Sequence, residues 1–442
     1  MTGTPAVRPE DQAEELLAAL RQAGLAEAEV YLKDGRSRRL AIGLAGAEHQ
    51  VVVEEGWAVR AGDRRAAFFV AGTGRPLPGA PWPTPQGFPA PLPDAAPVLR
   101  WSEPPDLDSP LLTELEAQAL LAAIEEALVS ELPLARLSAA ELEDGSSAST
   151  LASSRGVRAG WRQRVAIVRL VASMPDSLVE ASLQQGARDA RRLQPRALAR
   201  ALADRLAVRE RGIRPERETG DVVLAPAAAA RLLAGLLPLL VGPGARDLVG
   251  PLLDAEGRLG SSALSVVDDG RLSGGLLAAA VDGEGVPTRA VPLVEAGLYR
   301  QPLLAWWQAR GGAAAVASGC SLRASFREMP AAGPTHLFVR PQEGIRPAAL
   351  VAALDGGSYV LDADGPGRFD FTADRFALPV CGFHLAAGAA RRPFAGGWLC
   401  GAITALLHGI VGVARDLTFF PLAGMIGSPT LRITGLEIRG EA

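Results

Sequence analysis

The chain is short of the residues on which most enzyme chemistry is built. It has three cysteines, four histidines and one lysine, Lys33, in 442 residues, and aromatic side chains make up only 5% of it. Cys320, Cys381 and Cys400 are too few and too scattered for a disulfide framework. Their odd number, behind a polar, acidic N-terminus (MTGTPAVRPEDQAEELL) with no apolar leader core, points to a reducing cytoplasm. His49, His336, His384 and His408 include no pair at metal-ligand spacing. There is no G-x-S-x-G elbow, and GTGRPLPG (72–79) lacks the Lys and Ser/Thr of a phosphate loop. A net charge of −4 gives no bulk reason to bind nucleic acid or an anionic membrane.

Long uninterrupted apolar runs are also missing. DVVLAPAAAARLLAGLLPLLVG (221–242) is broken by Arg231, Pro226 and Pro238, short of the ~20 residues a span needs. GGWLCGAITALLHGIVGVA (396–414) carries only His408 as an ionisable group, but five glycines interrupt it. A strand followed by a buried helix reads the same way, so neither stretch is taken as a membrane span.

What is there is 48% hydrophobic and 21% charged, the profile of a globular chain long enough for two domains. The positive charge is almost all arginine, which beside abundant Ala, Gly and Pro reflects GC-rich coding. AEELLAALRQAG has helical spacing with Gly24 as its stop. EAEVYLKDG, RRLAIGLAG and EHQVVVEEGWAVRAGDRRAAFFVAG alternate as antiparallel strands joined by tight glycine turns. Residues 75–97 are too proline-rich for sheet or helix and read as a connector, with a polyproline docking segment as the alternative. SPLLTELEAQALLAAIEEALVSEL predicts a helix capped by Ser109 with Pro110 at its first position. LSAAELEDGSSASTLASSRGVRAGWRQRVAIVRLVAS predicts a strand, a Gly/Ser turn and two more strands. Residues 176–212 predict helix split by Pro195, its arginines interleaved with acids on a solvated face. RGIRPERETG (211–220) marks a boundary, giving domains 1–218 and 219–442. The second predicts short strands, with helices near 227–240, 299–310, 347–354 and 401–410.

Two local constellations stand out. In CGFH, Cys381 and His384 invite a thiol–imidazole pair, but residues three apart in a strand face opposite ways, which removes the dyad. In AAAVDGEGVPTR (278–289), Asp282 and Glu284 share a Gly-rich turn with Arg289 nearby. That pattern fits a structural turn with a surface salt bridge, or a carboxylate pair that holds a peptide or an ion.

GDVVLAPAAAARLL, LSVVDDGRLSGG, DGEGVPTRAVPLVEAGLYRQPLLAWWQAR, GRFDFTADRFALPVCGFHLAAGAARRPF and GSPTLRITGLEI resemble, in order and spacing, the TldD/PmbA peptidase family. AEELLAALRQAGLAEAEVYLKDGRSRRLAI and GSSASTLASSRGVRAGWRQRVAIVRLVAS add to the match from the N-terminal half. The proline-rich insert and the sparsely charged C-terminal end depart from the pattern. The resemblance implies an α+β fold whose C-terminal domain is strand-rich, antiparallel and barrel-like, bearing helices.

The family's zinc-bearing branch carries H-E-x-x-x-H on the helix equivalent to 226–239 and a late cysteine ligand. Aligned on Pro226, the motif positions fall on Ala234, Gly235 and Leu239, none of which can bind zinc or act as a base. FFPLAGMIGSPTL (419–431) offers no cysteine. The resemblance therefore implies the TldE (PmbA)-like branch, with no catalytic residue, metal or cofactor in this chain. Zinc is expected in a TldD-like partner within a heterodimer that cleaves unfolded or linear peptides, including precursor peptides. Asp282, Glu284, Gly285, Val286, Pro287 and Arg289 are then placed near the substrate channel or the subunit interface. Nucleic acid and membrane are not expected partners. The alternatives are a non-catalytic peptide-binding homodimer and an enzyme of unrelated chemistry using Asp282, Glu284 or His336.

Overall fold

A computed structural model describes residues 8–441 except 44–45, 64, 75–80, 87–90, 99, 310–317, 355 and 386–390. α1 (Pro9–Gln22) leads into β1 (Glu27–Gly43), β2 (Gly46–Gly62) and β3 (Ala67–Thr73). α2 (Glu114–Glu131), β4 (Arg136–Ser153), β5 (Arg158–Ser173), β6 (Glu180–Ala187) and α3 (Pro195–Arg211) follow. The six strands form one antiparallel sheet in the order β3-β2-β1-β4-β5-β6. The helices cover one face: Leu121, Ile124 and Leu128 of α2 and Leu202 and Leu206 of α3 pack on Leu142, Val168 and Leu170. α1 buries Leu16, Leu17 and Leu20 against Val30 and Val59.

The C-terminal half begins with β7 (Arg217–Leu224), α4 (Pro226–Gly235) and α5 (Ala245–Val249). Short strands follow: β8 (Val266–Asp269), β9 (Ala290–Glu295), β10 (Leu298–Tyr299), β11 (Ser321–Leu322), β12 (Ala331–Ala332) and β13 (His336–Val339). After α6 (Pro347–Ala352) come β14 (Ser358–Ala363), β15 (Arg368–Asp370), β16 (Arg375–Leu385) and β17 (Arg391–Gly401). α7 (Ile403–His408) precedes β18 (Ile410–Val413), β19 (Thr418–Leu422), β20 (Gly424–Ser428) and β21 (Leu431–Arg439).

Five of these strands close on themselves. β14 pairs with β7, β7 with β21, β21 with β17, β17 with β16, and β16 returns to β14. The result is the expected α+β fold with a five-stranded barrel in its C-terminal half. The pairing is antiparallel except at β14–β7, and in a second sheet (β10-β9-β8-β13-β20-β19) except at β13–β20. Val222, Leu224, Val360, Leu378, Leu399 and Ile433 belong to a core that also takes in α4 and α7.

Several elements differ from the sequence reading. Gly35 and Gly145 are mid-strand, so 27–43 and 136–153 are each one long strand rather than strand–turn–strand. The register sets Gly35 against Ser147 and Ser37 against Gly145, where small residues on both sides let the ladder run through. α2 starts later than expected: Thr113, not Ser109, is the cap, in a reciprocal capping box with Glu116. Residues 180–187 are strand with alternating burial rather than helix, and Pro195 opens α3 instead of splitting a longer helix. Over the described residues 299–309 the predicted helix is not formed: after Gly297 (φ +83°) Leu298 and Tyr299 pair with β9 as β10, and a turn follows at 306–308; residue 310 lies outside the described residues.

GGWLCGAITALLHGIVGVA is the end of β17, then α7 and β18, and no described helix is long and apolar enough to cross a membrane. Of the proline-rich stretch, 75–80 and 87–90 lie outside the described residues. Trp82 within it stacks on Phe68 and meets Trp57 edge-on.

Candidate functional site

The turn around Asp282 is folded inward. Asp282 Oδ1 accepts the backbone N–H groups of Glu284 (2.9 Å) and Val286 (3.0 Å), and Oδ2 accepts that of Ser321 (3.0 Å). Gly285 has φ +78°, and a Cβ there would overlap Val157, so the bend needs glycine. Glu284 is fully buried; its Oε2 accepts Trp306 N–H (2.7 Å) and its Oε1 accepts from Arg60 Nη1 (3.1 Å). Arg60 Nη2 donates to Glu29 Oε2 (2.8 Å), and Arg323 reaches the other Glu29 oxygen. Arg323 Nε also donates to Gly283 O (2.8 Å), and its guanidinium lies 4.5 Å from the Tyr31 ring centroid. Tyr31 Oη is 2.9 Å from Ser149 Oγ.

This cluster joins the uncovered face of the first sheet to the C-terminal half. Glu29 and Arg60 are directly opposed on β1 and β2, and both are about 1% exposed. Two carboxylates face two guanidiniums, which offsets the large cost of burying each ion alone. Burial works against the Glu29 anion and the Arg60 cation, but the paired charges win, so Glu29 lies below and Arg60 above its ordinary pKa. Burial pushes Glu284 up in spite of Arg60. Asp282 goes to about 7, through burial first and the Glu284 charge second, against three backbone donors that favour its anion.

The two sequence alternatives for this turn are thereby corrected. The salt bridge is real but buried, and its partner is Arg60 rather than Arg289. Both carboxylates are engaged inside the chain, so they do not form an exposed pair for a peptide or an ion. Val286 and Pro287 are half-buried and Arg289 is exposed at the start of β9. Sequence reasoning missed Glu29, Arg60 and Arg323. The available signal was a charge flanked by apolar neighbours within each strand, Glu29 between Ala28 and Val30 and Arg60 between Val59 and Ala61.

The remaining candidates are separate from this cluster. His336 is buried: Nδ1 faces Asp269 O (2.9 Å) and Nε2 accepts Leu277 N–H (3.1 Å), and burial lowers its pKa to about 4. Both ring nitrogens are thus held by backbone as a neutral tautomer, which leaves no proton-transfer role. His384 Nδ1 contacts Ser358 Oγ (2.9 Å) and Glu218 Oε2 (2.7 Å), and its ring stacks on Phe394. Serine and glutamate meet the same nitrogen, so the three do not form a relay. Cys381 lies instead near Arg209, Asp362 and Asp364, with burial raising its thiol to about 12. The same place limits the solvated reading of α3: Arg196, Arg200, Asp204 and Glu210 are exposed, but Arg205 and Arg209 are largely buried and grip Asp362, and Arg209 also Asp364.

On α4, Ala234 is half-buried and Leu239, just beyond the helix, lines a small cavity of about 30 Å³ walled only by apolar side chains. A Cβ on Gly235 would overlap the ring of Phe369, which stacks on Phe371 and Phe376. The donor chemistry of these three positions does not fit zinc, and an aromatic ring fills the space beside the middle one. Among the described residues no three His, Cys, Asp or Glu side chains are grouped to hold a metal.

Residues 217–440, from the first barrel strand to the last, match the model of the PmbA/TldA metallopeptidase C-terminal domain. The chain belongs to the PmbA/TldA metallopeptidase family. Its fold is shared with TldE from Thermococcus kodakarensis, at TM-score 0.81 and 16% identity over 97% of this chain and 100% of that one. A protein from Thermotoga maritima, described as a candidate modulator of a DNA gyrase, gives the same score and identity over 97% and 99%. One from Bacteroides thetaiotaomicron, described likewise for DNA gyrase, gives 0.79 and 14% over 99% and 100%. At these identities the likeness is one of fold. For this PmbA/TldA member it covers both halves, including the first sheet that the family model does not reach.

Proposed function

We propose that this chain is the metal-free, TldE-like subunit of a zinc peptidase and that a TldD-like homologue supplies the metal. One observation carries the reading: the scaffold of α4 is intact, yet Ala234, Gly235 and Leu239 offer no ligand or base and Phe369 packs onto Gly235. A catalytic zinc needs about three protein ligands and an open position, which this helix does not supply. No step of hydrolysis is therefore assigned to residues of this chain. Membership of a metallopeptidase family and the shared fold with a TldE support the pairing.

In this reading the substrate is an unfolded or linear peptide bound in extended form. Main-chain hydrogen bonds to a strand edge hold such a peptide without reading its side chains, which suits sequence-tolerant cleavage. The chain's own part is to wall the channel and cover its partner. The loop 282–287 acts as an internal brace, because the Glu284 carboxylate, on a turn that Asp282 holds by its own backbone, reaches Arg60 of the first sheet.

The test is cleavage of an unstructured peptide by this chain, by its zinc-motif homologue and by the mixture, each with and without a chelator. Chelator-sensitive cleavage by the mixture alone is the expected outcome. Cleavage by this chain alone, together with a full equivalent of bound metal, would overturn the reading.

A further inference from the structure

The barrel carries a cleft on its outer face. Phe376 and Leu378 of β16, Leu399 of β17 and Leu436 and Ile438 of β21 belong to the core. Their chain neighbours therefore point outward, and the ladder sets Arg368, Ala377, Cys400 and Glu437 side by side across β15, β16, β17 and β21. The cleft over this row has a volume of about 950 Å³. Ala377, Cys400, Gly401 and Ala402 give it a floor of small residues, and charged side chains form its rim. The rim is mixed in sign, but its acids are committed and its guanidiniums are not. Asp374 accepts the N–H and the hydroxyl of Thr404 at the start of α7. Asp370 accepts the N–H groups of Thr372 (3.1 Å) and Ala373 (2.9 Å) in the turn between β15 and β16. Glu437 is paired with Arg217 at 2.8 Å. Among the described residues Arg375 has no carboxylate or hydrogen-bond partner, and Arg368 only leans on the ring of Trp398 at 5.1 Å. Arg439 lies 3.6 Å from Glu437 through an Nε that is buried and has no hydrogen-bond acceptor.

We propose that this face binds an acidic stretch of a linear peptide in extended form, with carboxylates at alternate positions. Neighbouring strands are ~4.8 Å apart, so the strand of Arg439 lies about 10 Å from that of Arg375 and about 15 Å from that of Arg368. Alternate side chains of an extended peptide recur every ~7 Å on one side. A peptide that crosses the strands therefore brings two or three carboxylates to these guanidiniums. Each fork can take a carboxylate bidentately, and the floor of small residues lets the peptide main chain come close. Guanidiniums spread over three strands suit such a row; they do not converge on one point, as a single phosphate would require. The occupant rests on the peptide reading above. To main-chain binding that is blind to sequence it adds a preference for acidic side chains.

Fluorescence anisotropy on the full chain alone tests it. The probes are a dye-labelled, end-blocked peptide of alternating Gly and Glu and the same peptide with Gln or Lys in place of Glu. Wild type is expected to bind the Glu peptide with a Kd on the order of 100 µM at low salt, and the other two at least about tenfold more weakly. R368E and R375E should each weaken the Glu peptide about tenfold. R21E, which changes the net charge equally at an exposed site on α1, should leave it unchanged. Arg368 and Arg375 are exposed, so circular dichroism should not change. Should R368E disturb the contact with Trp398, R375Q takes its place. No binding by wild type overturns the proposal, as does equal binding of the Gln peptide or an equal loss in R21E. Displacement of the Glu peptide by an equal concentration of inorganic phosphate assigns the cleft to phosphate and overturns it too. No partner, metal or cleavage enters the measurement, so the zinc-partner reading can fail while this one stands, and the reverse.

Discussion

His336 carries the clearest pH signal in the chain. Its pKa falls from 6.5 to about 4 on folding because burial disfavours the cation. The stability it contributes is full above pH 6.5 and is lost as the pH falls toward 4, by about 3 kcal/mol at most. Denaturant titrations should show the wild-type advantage over H336Q growing from pH 4 to 6.5 and flat above that. Asp268 and Asp282 act in the opposite sense. Burial raises each from 3.8 to about 7, so their contribution is full below pH 4 and fades as the pH climbs to 7. A chain with these groups has opposing slopes across the acid range rather than a single acid transition.

At the scale of the element, α4 shows how a helix and its neighbour become fitted to each other. Pro226 sits at the start, Ala228, Ala229, Ala230, Leu232 and Leu233 are buried, and Gly235 leaves room for Phe369. G235A should cost about 1–3 kcal/mol through overpacking, and F369L should recover part of that loss in the double mutant, read from denaturant midpoints. This mutual fit was invisible in sequence, because Phe369 lies 134 positions away and reaches the helix only through β15. The stop and amphipathic character of α1 and the existence of α4, α6 and α7 were legible, since glycine stops, proline starts and apolar spacing are local. The continuity of β1 and β4 was not, because a glycine reads as a turn until its cross-strand partner is known. Ser109 was read as the cap of α2, whereas Thr113 is the cap and closes the box with Glu116.

For the whole molecule, the buried ions decide how the halves meet. Arg60 touches Glu29 of its own sheet and Glu284 of the C-terminal half, and Arg323 returns to Glu29. R60M leaves two buried carboxylates facing each other with Arg323 alone, and should lower unfolding stability by about 3–5 kcal/mol in a denaturant titration. The sequence singled out Glu284 and Asp282 but assigned them an outward role, because nothing local says which way a turn will fold.

By itself the sequence determined the family resemblance, the α+β class, the strand-rich C-terminal half and the lack of metal-binding side chains at Ala234, Gly235 and Leu239. These depend on residue identity, spacing and short-range periodicity, all of which are written along the chain. Only the tertiary structure decided that the Asp282–Glu284 turn is an internal ionic joint and that α3 turns Arg205 and Arg209 inward. Each of these depends on contacts between residues tens to hundreds of positions apart. The energy of a buried charge is set by what surrounds it, and no local pattern records that.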